Sequence, residues 1–225
     1  MFVITADQID SRNDRDRAGE MIAQLTADLG HAFSLPADQT SGDEIQILMP
    51  TARAALTTIL ALHRSGFWSI GLGVGSVRTP LPAATRQATG EAFIAARTAV
   101  TRAKKTDARF ALSLRTSVPD AVAATDTAPD AATSSALLNV VEVEALVAML
   151  LLLRQRRSVE GWEATDLLEQ GLPQVEIAAI LGISTAAVSQ RVKSALWRVD
   201  EAARPALVRL LENLDRATSE TDPAE

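Results

Sequence analysis

The stretch LPQVEIAAILGISTAAVSQRVKSAL, from Leu172 to Leu196, decides how the C-terminal part of this chain folds. The small residue Ala178 precedes Gly182 by four positions, and the apolar Val188 follows the glycine by six. Glycine allows a sharp turn because it adopts positive φ without steric cost. Ser184, just after that turn, is a residue type that caps a helix by accepting a backbone N–H. The pattern therefore predicts two short helices joined by a tight turn.

The outer face of the second predicted helix is polar and carries no acidic residue. Apolar residues supply a small core between the helices, namely Ile177, Leu181, Ile183 and Val192. The outward positions are Thr185, Ala186, Ser189, Gln190, Lys193 and, near the edge, Arg191. This arrangement is typical of a helix-turn-helix that reads DNA. A purely structural helical hairpin is the alternative, but the joint spacing favours DNA contact.

Individual roles follow if a helix over Ser184–Val199 lies in the major groove. Ser189 and Gln190 are the candidates for hydrogen bonds to base edges. The side chains better suited to phosphate groups are Thr185, Arg191, Lys193 and Arg198. Ser184 begins the helix, whose first turn adds backbone N–H donors.

The overall composition limits the other function classes. The chain has 225 residues, 47% of them hydrophobic, which is enough for one large or two modest domains. It has no cysteine, so disulfides, thiolate catalysis and cysteine-bound zinc are excluded. A net charge of −6 argues against nonspecific coating of a polyanion, but specific binding needs only a basic reading surface.

The sequence contains no targeting or membrane signal. The N-terminal stretch MFVITADQID lacks a basic region and a long apolar run, unlike a signal peptide. The longest apolar stretch, Ala145 to Leu153, is too short to span a bilayer. We therefore expect no membrane association and a cytoplasmic location.

Composition divides the chain into three parts. Residues 116–135, TSVPDAVAATDTAPDAATSS, are rich in Ala, Thr, Asp and Pro and have no periodic apolar face, which predicts a linker. The predicted domains are accordingly residues 1–115 and residues 136–225.

The first part alternates strand and helix patterns. We predict strands and helices in the order βαββαβ, followed by one more helix and strand: strand 2–6, helix 14–29, hairpin 31–35 and 45–49, helix 51–63, strand 68–77, helix 90–105 and strand 109–114. The glycines at 71, 73 and 75 indicate close packing against that strand. The expected fold class is α+β, a sandwich with helices on one face of an antiparallel sheet, followed by an all-α helix-turn-helix domain.

The last part is helical throughout. Predicted helices over 136–154 and 159–170 precede the helix-turn-helix, and a helix over 201–217 follows it. The first of these is strongly apolar, so it forms either core alone or core plus a dimer interface. DNA-reading helices usually act in symmetric pairs, so we expect a homodimer.

Acidic residues form a candidate site in the first part. Asp7 ends the first strand, and Asp43 and Glu44 lie at the tip of the predicted hairpin. Neighbouring strands would bring these carboxylates together, as Mg²⁺ requires when phosphates supply its other ligands. Solvated loop carboxylates are the alternative.

The combination ADQIDSR, SGDEIQ, SIGLGVGSV and GEAFIAAR resembles the SatD family, and the likeness continues into the helix-turn-helix. More distantly, the first 115 residues are similar to the palm-like domains of class III nucleotide cyclases and GGDEF diguanylate cyclases. The resemblance implies two metal ions and a nucleoside triphosphate. It implies Asp7 and Asp43 as metal ligands, Glu44 as a further candidate, and a backbone carbonyl near Gln8 or Ile9.

The chain also departs from those cyclase families. Ser41 replaces the first glycine of the GGDEF motif, and Ile45 replaces its phenylalanine. Class III cyclases place an asparagine four residues before an arginine, whereas Phe93 precedes Arg97 here. No Lys/Asp pair for base selection is identifiable. These departures favour ligand binding or a structural role over catalysis, and we assign no catalytic residue.

The sequence therefore predicts a DNA-binding transcription regulator with a degenerate cyclase-like sensor or dimerisation domain. The alternative is a Mg-dependent nucleotide cyclase, or another nucleotide-binding enzyme, fused to a DNA-binding domain. A third reading is a chain that bridges protein partners through the apolar helix at 136–154. Double-stranded DNA, a second copy of the chain and a nucleotide are the expected partners.

Overall fold

The computed structural model describes residues 1–40, 42–115 and 139–220, and these form one α+β structure. The strands are β1 (Phe2–Gln8), β2 (Asp38–Gln39), β3 (Glu44–Met49), β4 (Trp68–Val74) and β5 (Phe110–Leu114). The helices are α1 (Ala18–Leu29), α2 (Ala52–Ser65), α3 (Glu91–Ala103), α4 (Val140–Gln155), α5 (Val159–Glu169), α6 (Gln174–Leu181), α7 (Thr185–Ser194) and α8 (Trp197–Glu220). The predicted fold class, a sheet-containing region followed by an all-helical one, is confirmed.

The five strands form one mixed sheet in the order β2-β3-β1-β4-β5. The central strand β1 runs antiparallel to both neighbours, with Ile4 opposite Ile47 on one side and Leu72 on the other. β5 runs parallel to β4. The expectation of a wholly antiparallel sheet was wrong, because α3 carries the chain back across the sheet before β5 begins, as a parallel neighbour requires.

Helices cover both faces of the sheet, not one face as expected. Side chains alternate along β1, so Ile4 joins the cluster that contains residues of α1 and α2 while Val3 joins the cluster that contains residues of α3. The glycine run makes the second face possible. A Cβ on Gly71 would lie 2.2 Å from the Val100 nitrogen, and one on Gly73 would lie 2.1 Å from the Ala92 oxygen. The predicted close packing is confirmed.

The first strand of the predicted hairpin lies elsewhere. Residues Gly30–Ala32 form a 3₁₀ turn, and β2 occupies Asp38–Gln39 instead of residues 31–35. The Ser34 nitrogen still donates to the Leu48 oxygen at 2.8 Å, so this segment runs beside β3. Pro36 lacks the N–H that a longer ladder needs, which confines regular pairing to the residues after it. Ser41, which belongs to the predicted turn, lies outside the described residues.

The hydrophobic core is continuous between the sheet and the C-terminal helices. Val147 of α4 and Leu211 of α8 belong to the same buried cluster as Ile59 of α2. A hydrogen bond also joins α4 to the sheet, because the backbone nitrogen of Leu112 in β5 donates to Oε2 of the Glu144 side chain at 2.6 Å. The predicted linker at 116–135 lies outside the described residues, and the boundary between the two domains stays a prediction.

The helix bounds also bear on membrane insertion. No single helix in the described part of the chain is long and apolar enough to cross a bilayer. α6 and α7 reach the necessary length and composition only as a pair, and the pair is bent by 101°.

Candidate nucleic-acid interface

The turn between α6 and α7 has the geometry that the sequence predicts. Gly182 ends α6 in the left-handed conformation, with φ 64°. The Ile183 nitrogen then donates to the Ala178 oxygen at 3.0 Å, which satisfies a carbonyl at the end of α6. Ser184 begins the next helix, where its hydroxyl accepts from the Ala187 nitrogen at 3.2 Å. The predicted cap and turn are both confirmed.

A small core holds α5, α6 and α7 together. The residues buried in it are Ala164, Ile177, Ala178, Val188 and Val192. Leu181 and Ile183 pack against this cluster while remaining partly exposed. Because α5 supplies Ala164, the unit is a three-helix arrangement, and the outer face of α7 remains open.

Most of the predicted DNA-binding side chains are exposed, either on α7 or beside its two ends. Those that are exposed are Ser184, Thr185, Ser189, Gln190, Lys193 and Arg198. Ser189, Lys193 and Arg198 line one surface depression, which also includes Gln174 at the start of α6. Sequence reasoning missed Gln174, although the first residue of the first motif helix is a natural position for a phosphate contact.

α7, the second helix of the helix-turn-helix and here called its recognition helix, is shorter than predicted. α7 ends at Ser194, Leu196 adopts φ 52°, and α8 begins at Trp197. The expectation of one helix over Ser184–Val199 was therefore wrong, and so was the start of the last helix at 201. The break has a tertiary cause, because Arg157 Nε donates to the Ala195 oxygen at 2.8 Å and holds the chain at the turn.

Arg191 differs from the other predicted phosphate ligands. Its Nη1 lies 3.2 Å from Oε2 of Glu163 on α5, and its side chain is mostly covered. The guanidinium therefore ties α7 to α5 instead of extending from the open face.

A cluster of buried charged side chains contacts the C-terminal end of α7. Asp200 is fully buried, and its carboxylate accepts from Arg154 at 2.5 Å, from Arg157 at 2.6 Å and from Arg204 at 2.9 Å. Burial acts to raise the pKa of Asp200, but the three guanidiniums outweigh it and the pKa lies below its ordinary value. Because these residues lie on α4, at the turn after it and on α8, the cluster fixes both helices around the motif.

Trp162 extends this cluster toward the N-terminal region. Three guanidiniums lie over its ring, those of Arg64, Arg154 and Arg157, at 4.3, 4.9 and 4.7 Å from the centroid. Arg64, on α2, also forms a two-pronged ion pair with Asp166 of α5, at 2.6 and 2.5 Å. The helix-turn-helix is thus fastened to the sheet-bearing region by α5 as well as by α4 and α8. No local sequence pattern predicts these long-range pairs.

This geometry agrees with a comparison against known families. Residues 150–200 match Sigma-70, region 4. The matched segment runs from the second half of α4 to Asp200, so it contains the helix-turn-helix and most of the arginines around Asp200. No curated protein and no solved structure gives a significant match to the chain. The region 4 match and the motif geometry support the same conclusion: this is a DNA-binding helix-turn-helix with a transcription-related role.

The predicted acidic site is only partly assembled. Asp7 and Glu44 are direct partners across β1 and β3, so their side chains share the face that α3 covers. Each carboxylate has a cation beside it: Lys104 Nζ lies 2.7 Å from Asp7, and Arg97 lies 3.7 Å from Glu44. Asp43 precedes β3 and is partly exposed.

Among the described residues, no three His, Cys, Asp or Glu side chains are grouped as a metal site requires. Lysine and arginine hold positions where a cation would bind to these carboxylates, so the arrangement does not fit a pair of metal ions.

Proposed function

We propose that the chain is a sequence-specific transcription regulator that places α7 in the major groove. The observation that carries this proposal is the exposed, acid-free face of α7 on a region 4-like helix-turn-helix. Ser189 and Gln190 face the base edges, and Thr185, Lys193 and Arg198 face phosphates. Arg191 helps to hold α7 in place through Glu163.

Selection from a random duplex pool tests this proposal directly. The full chain is expected to enrich one short motif, and Gln190→Ala is expected to change the preference at particular base positions. Ile180→Ala, an exposed change on α6, is the matched control and should leave the motif unaltered. Failure to enrich any motif at low salt would contradict the proposal.

We further propose that the active species is a homodimer joined through α4. One side of α4 is buried in the core, and the other side exposes Val141, Leu146, Met149 and Leu152. Such an apolar surface is expected to be covered, and two copies of one helix give a symmetric interface. Linking two half-sites adds their binding free energies and so multiplies their affinities, which compensates for the small number of cations on α7.

We propose that the sheet-bearing region is a ligand sensor of cyclase-like ancestry that does not turn its ligand over. The strand order β2-β3-β1-β4 is that of two interlocked β-α-β units, which supports this proposal. A Mg-dependent cyclase is the second candidate, because Asp7 and Glu44 are cross-strand partners, but it requires metal ions to displace Lys104 and Arg97 from these carboxylates. Lys104 and Arg97 beside those carboxylates argue for binding without catalysis.

Incubation with ATP or GTP and Mg²⁺ separates these two functions. The sensor is expected to release neither pyrophosphate nor a cyclic product. Product that disappears in Asp43→Ala would establish the enzyme instead.

A further inference from the structure

An open-sided cavity of about 580 Å³ lies beside the N-terminal half of α3, where Gln46 of β3 lines it. Three arginines line it, namely Arg78, Arg86 and Arg97. None of its lining residues is acidic. In a chain with a net charge of −6, a concave site of this composition is unusual and indicates an anionic ligand.

Two of these arginines, Arg86 and Arg97, are loosely held, so they are available to a ligand. Arg86 lies 3.4 Å from Asp38, and Arg97 lies 3.7 Å from Glu44, whereas the structural ion pairs of Asp200 lie at 2.5 to 2.9 Å. The side chains of Arg86 and Arg97 are also largely exposed. A phosphate group would form shorter, charge-assisted hydrogen bonds than these carboxylates do.

The remainder of the cavity favours a ligand that carries a ring. Phe93 and Ile94 line it with apolar surface, and Ile94 is 45% exposed. Gln46 lines it with an amide that is almost wholly buried and donates to Glu44 at 3.3 Å. A buried amide beside an apolar surface is the arrangement that orients a planar, polar-edged group.

We propose that this cavity binds a phosphorylated small molecule with an aromatic ring, held by arginines without a metal ion. The three guanidiniums bind the phosphates, and the ring lies on Phe93 and Ile94 near the Gln46 amide. The inference rests on the proposal that the sheet-bearing region is a sensor, and it names the site and the ligand class. Duplex DNA is the competing occupant, but a concave pocket with apolar lining fits a small molecule better than a phosphate backbone.

Titration of the full chain with a fluorescent ADP analogue, in the presence of EDTA, tests this site. We expect saturable binding that EDTA does not weaken. Arg78→Ala and Arg97→Ala should each lower affinity about tenfold, because each removes one charge-assisted contact. Arg209→Ala, an exposed arginine on α8, is the matched control and should bind like the original chain.

Two further measurements separate binding of the phosphates from binding of the ring. Inorganic pyrophosphate should compete at least about tenfold more weakly than ADP, because it has no ring to cover the apolar surface of Phe93 and Ile94. Ile94→Glu should remove that advantage, and equal competition before the substitution would overturn the ring assignment.

No saturable ADP binding, or binding that Arg78→Ala and Arg97→Ala leave unchanged, would overturn the proposal. Loss of duplex affinity in these variants without any ADP binding would assign the arginines to DNA instead. Duplex binding by the unliganded chain is measured separately, so failure at this cavity leaves the DNA-binding proposal intact.

Discussion

Arg157 Nε donates a 2.8 Å hydrogen bond to the carbonyl oxygen of Ala195, at the residue that caps α7. The same guanidinium reaches Asp200 through Nη2, so one buried side chain joins the end of the recognition helix to the start of α8. The orientation of α7 therefore depends on a charge cluster that is buried away from solvent.

Asp200→Ala should destabilise the protein severely. The substitution leaves two buried guanidiniums, those of Arg154 and Arg157, without their shared carboxylate. Removing one partner of a buried ion pair costs about 3–5 kcal/mol, because the remaining charge is uncompensated. Denaturant unfolding should show this loss, while the exposed neighbour Glu201→Ala should stay within about 0.5 kcal/mol of the original chain. Equal stability of the two variants would contradict the role of the cluster.

Two glycines should respond differently to alanine because their constraints differ. Gly182 has φ 64° with open space around a new Cβ, so Gly182→Ala should cost only the backbone penalty of about 1–2 kcal/mol. Gly71→Ala forces a Cβ to within 2.2 Å of a backbone nitrogen, and separating α3 from β4 should cost about 3 kcal/mol or more. Urea unfolding of both variants measures the difference. The reverse order would show that α3 packs less closely than described.

Local signals account for the parts that sequence predicted well. Gly182 and Ser184 act on their immediate backbone, so the turn and the start of α7 follow from residue type alone. The glycines at 71 and 73 likewise indicate a close approach to β4, although they do not identify α3 as the neighbour. The parallel pairing of β4 with β5 could also be predicted from the sequence, since a helix between two strands permits parallel pairing.

Long-range contacts account for the parts that sequence missed. Leu196 is neither glycine nor asparagine, so its left-handed backbone had no signal in the sequence. Its conformation depends on the bond to Ala195 from Arg157, about forty positions earlier in the chain. Asp200 has no local signal that distinguishes it from other acidic residues, because its partners on other elements are defined only by the folded chain. The sequence predicts that Asp7 and Glu44 lie close together, as they do across β1 and β3. It does not predict that Lys104 lies beside Asp7.

Lys193 and Arg191 should separate DNA contact from helix support. Lys193→Ala should weaken binding to all duplexes and lower the salt slope by about 1 for each protomer, because one phosphate contact is lost. Arg191→Ala should change the salt slope less, since its guanidinium is engaged by Glu163. Fluorescence anisotropy at several salt concentrations measures both. A larger slope change for Arg191→Ala would assign that residue to phosphate.

His63 should make stability fall at mildly acidic pH. Burial, with the nearby Arg154 charge as a second cause, lowers the pKa of His63 from 6.5 to about 4. Between these values the unfolded chain binds a proton that the folded chain does not, so stability is complete above pH 6.5 and is lost as pH falls toward 4. The side chain is partly exposed, which limits the loss to about 1–2 kcal/mol.

His63→Gln removes this contribution and should flatten the decline between pH 6.5 and 4. Urea unfolding at several pH values measures it, with the exposed His31→Gln as the matched control. If both variants decline as steeply as the original chain, the acid sensitivity originates elsewhere.

Met149→Glu should convert the proposed homodimer to a monomer. Met149 is 66% exposed near the middle of the apolar side of α4, so the fold gains little from it and should tolerate the charge. Two glutamates facing each other across a symmetric interface would be desolvated and mutually repelled. Analytical ultracentrifugation should show the change in mass, and affinity for a two-half-site duplex should fall while affinity for a single half-site stays constant. Val159→Glu, an equally exposed apolar position on α5, is the control and should remain dimeric. A dimer that survives Met149→Glu would place the interface away from α4.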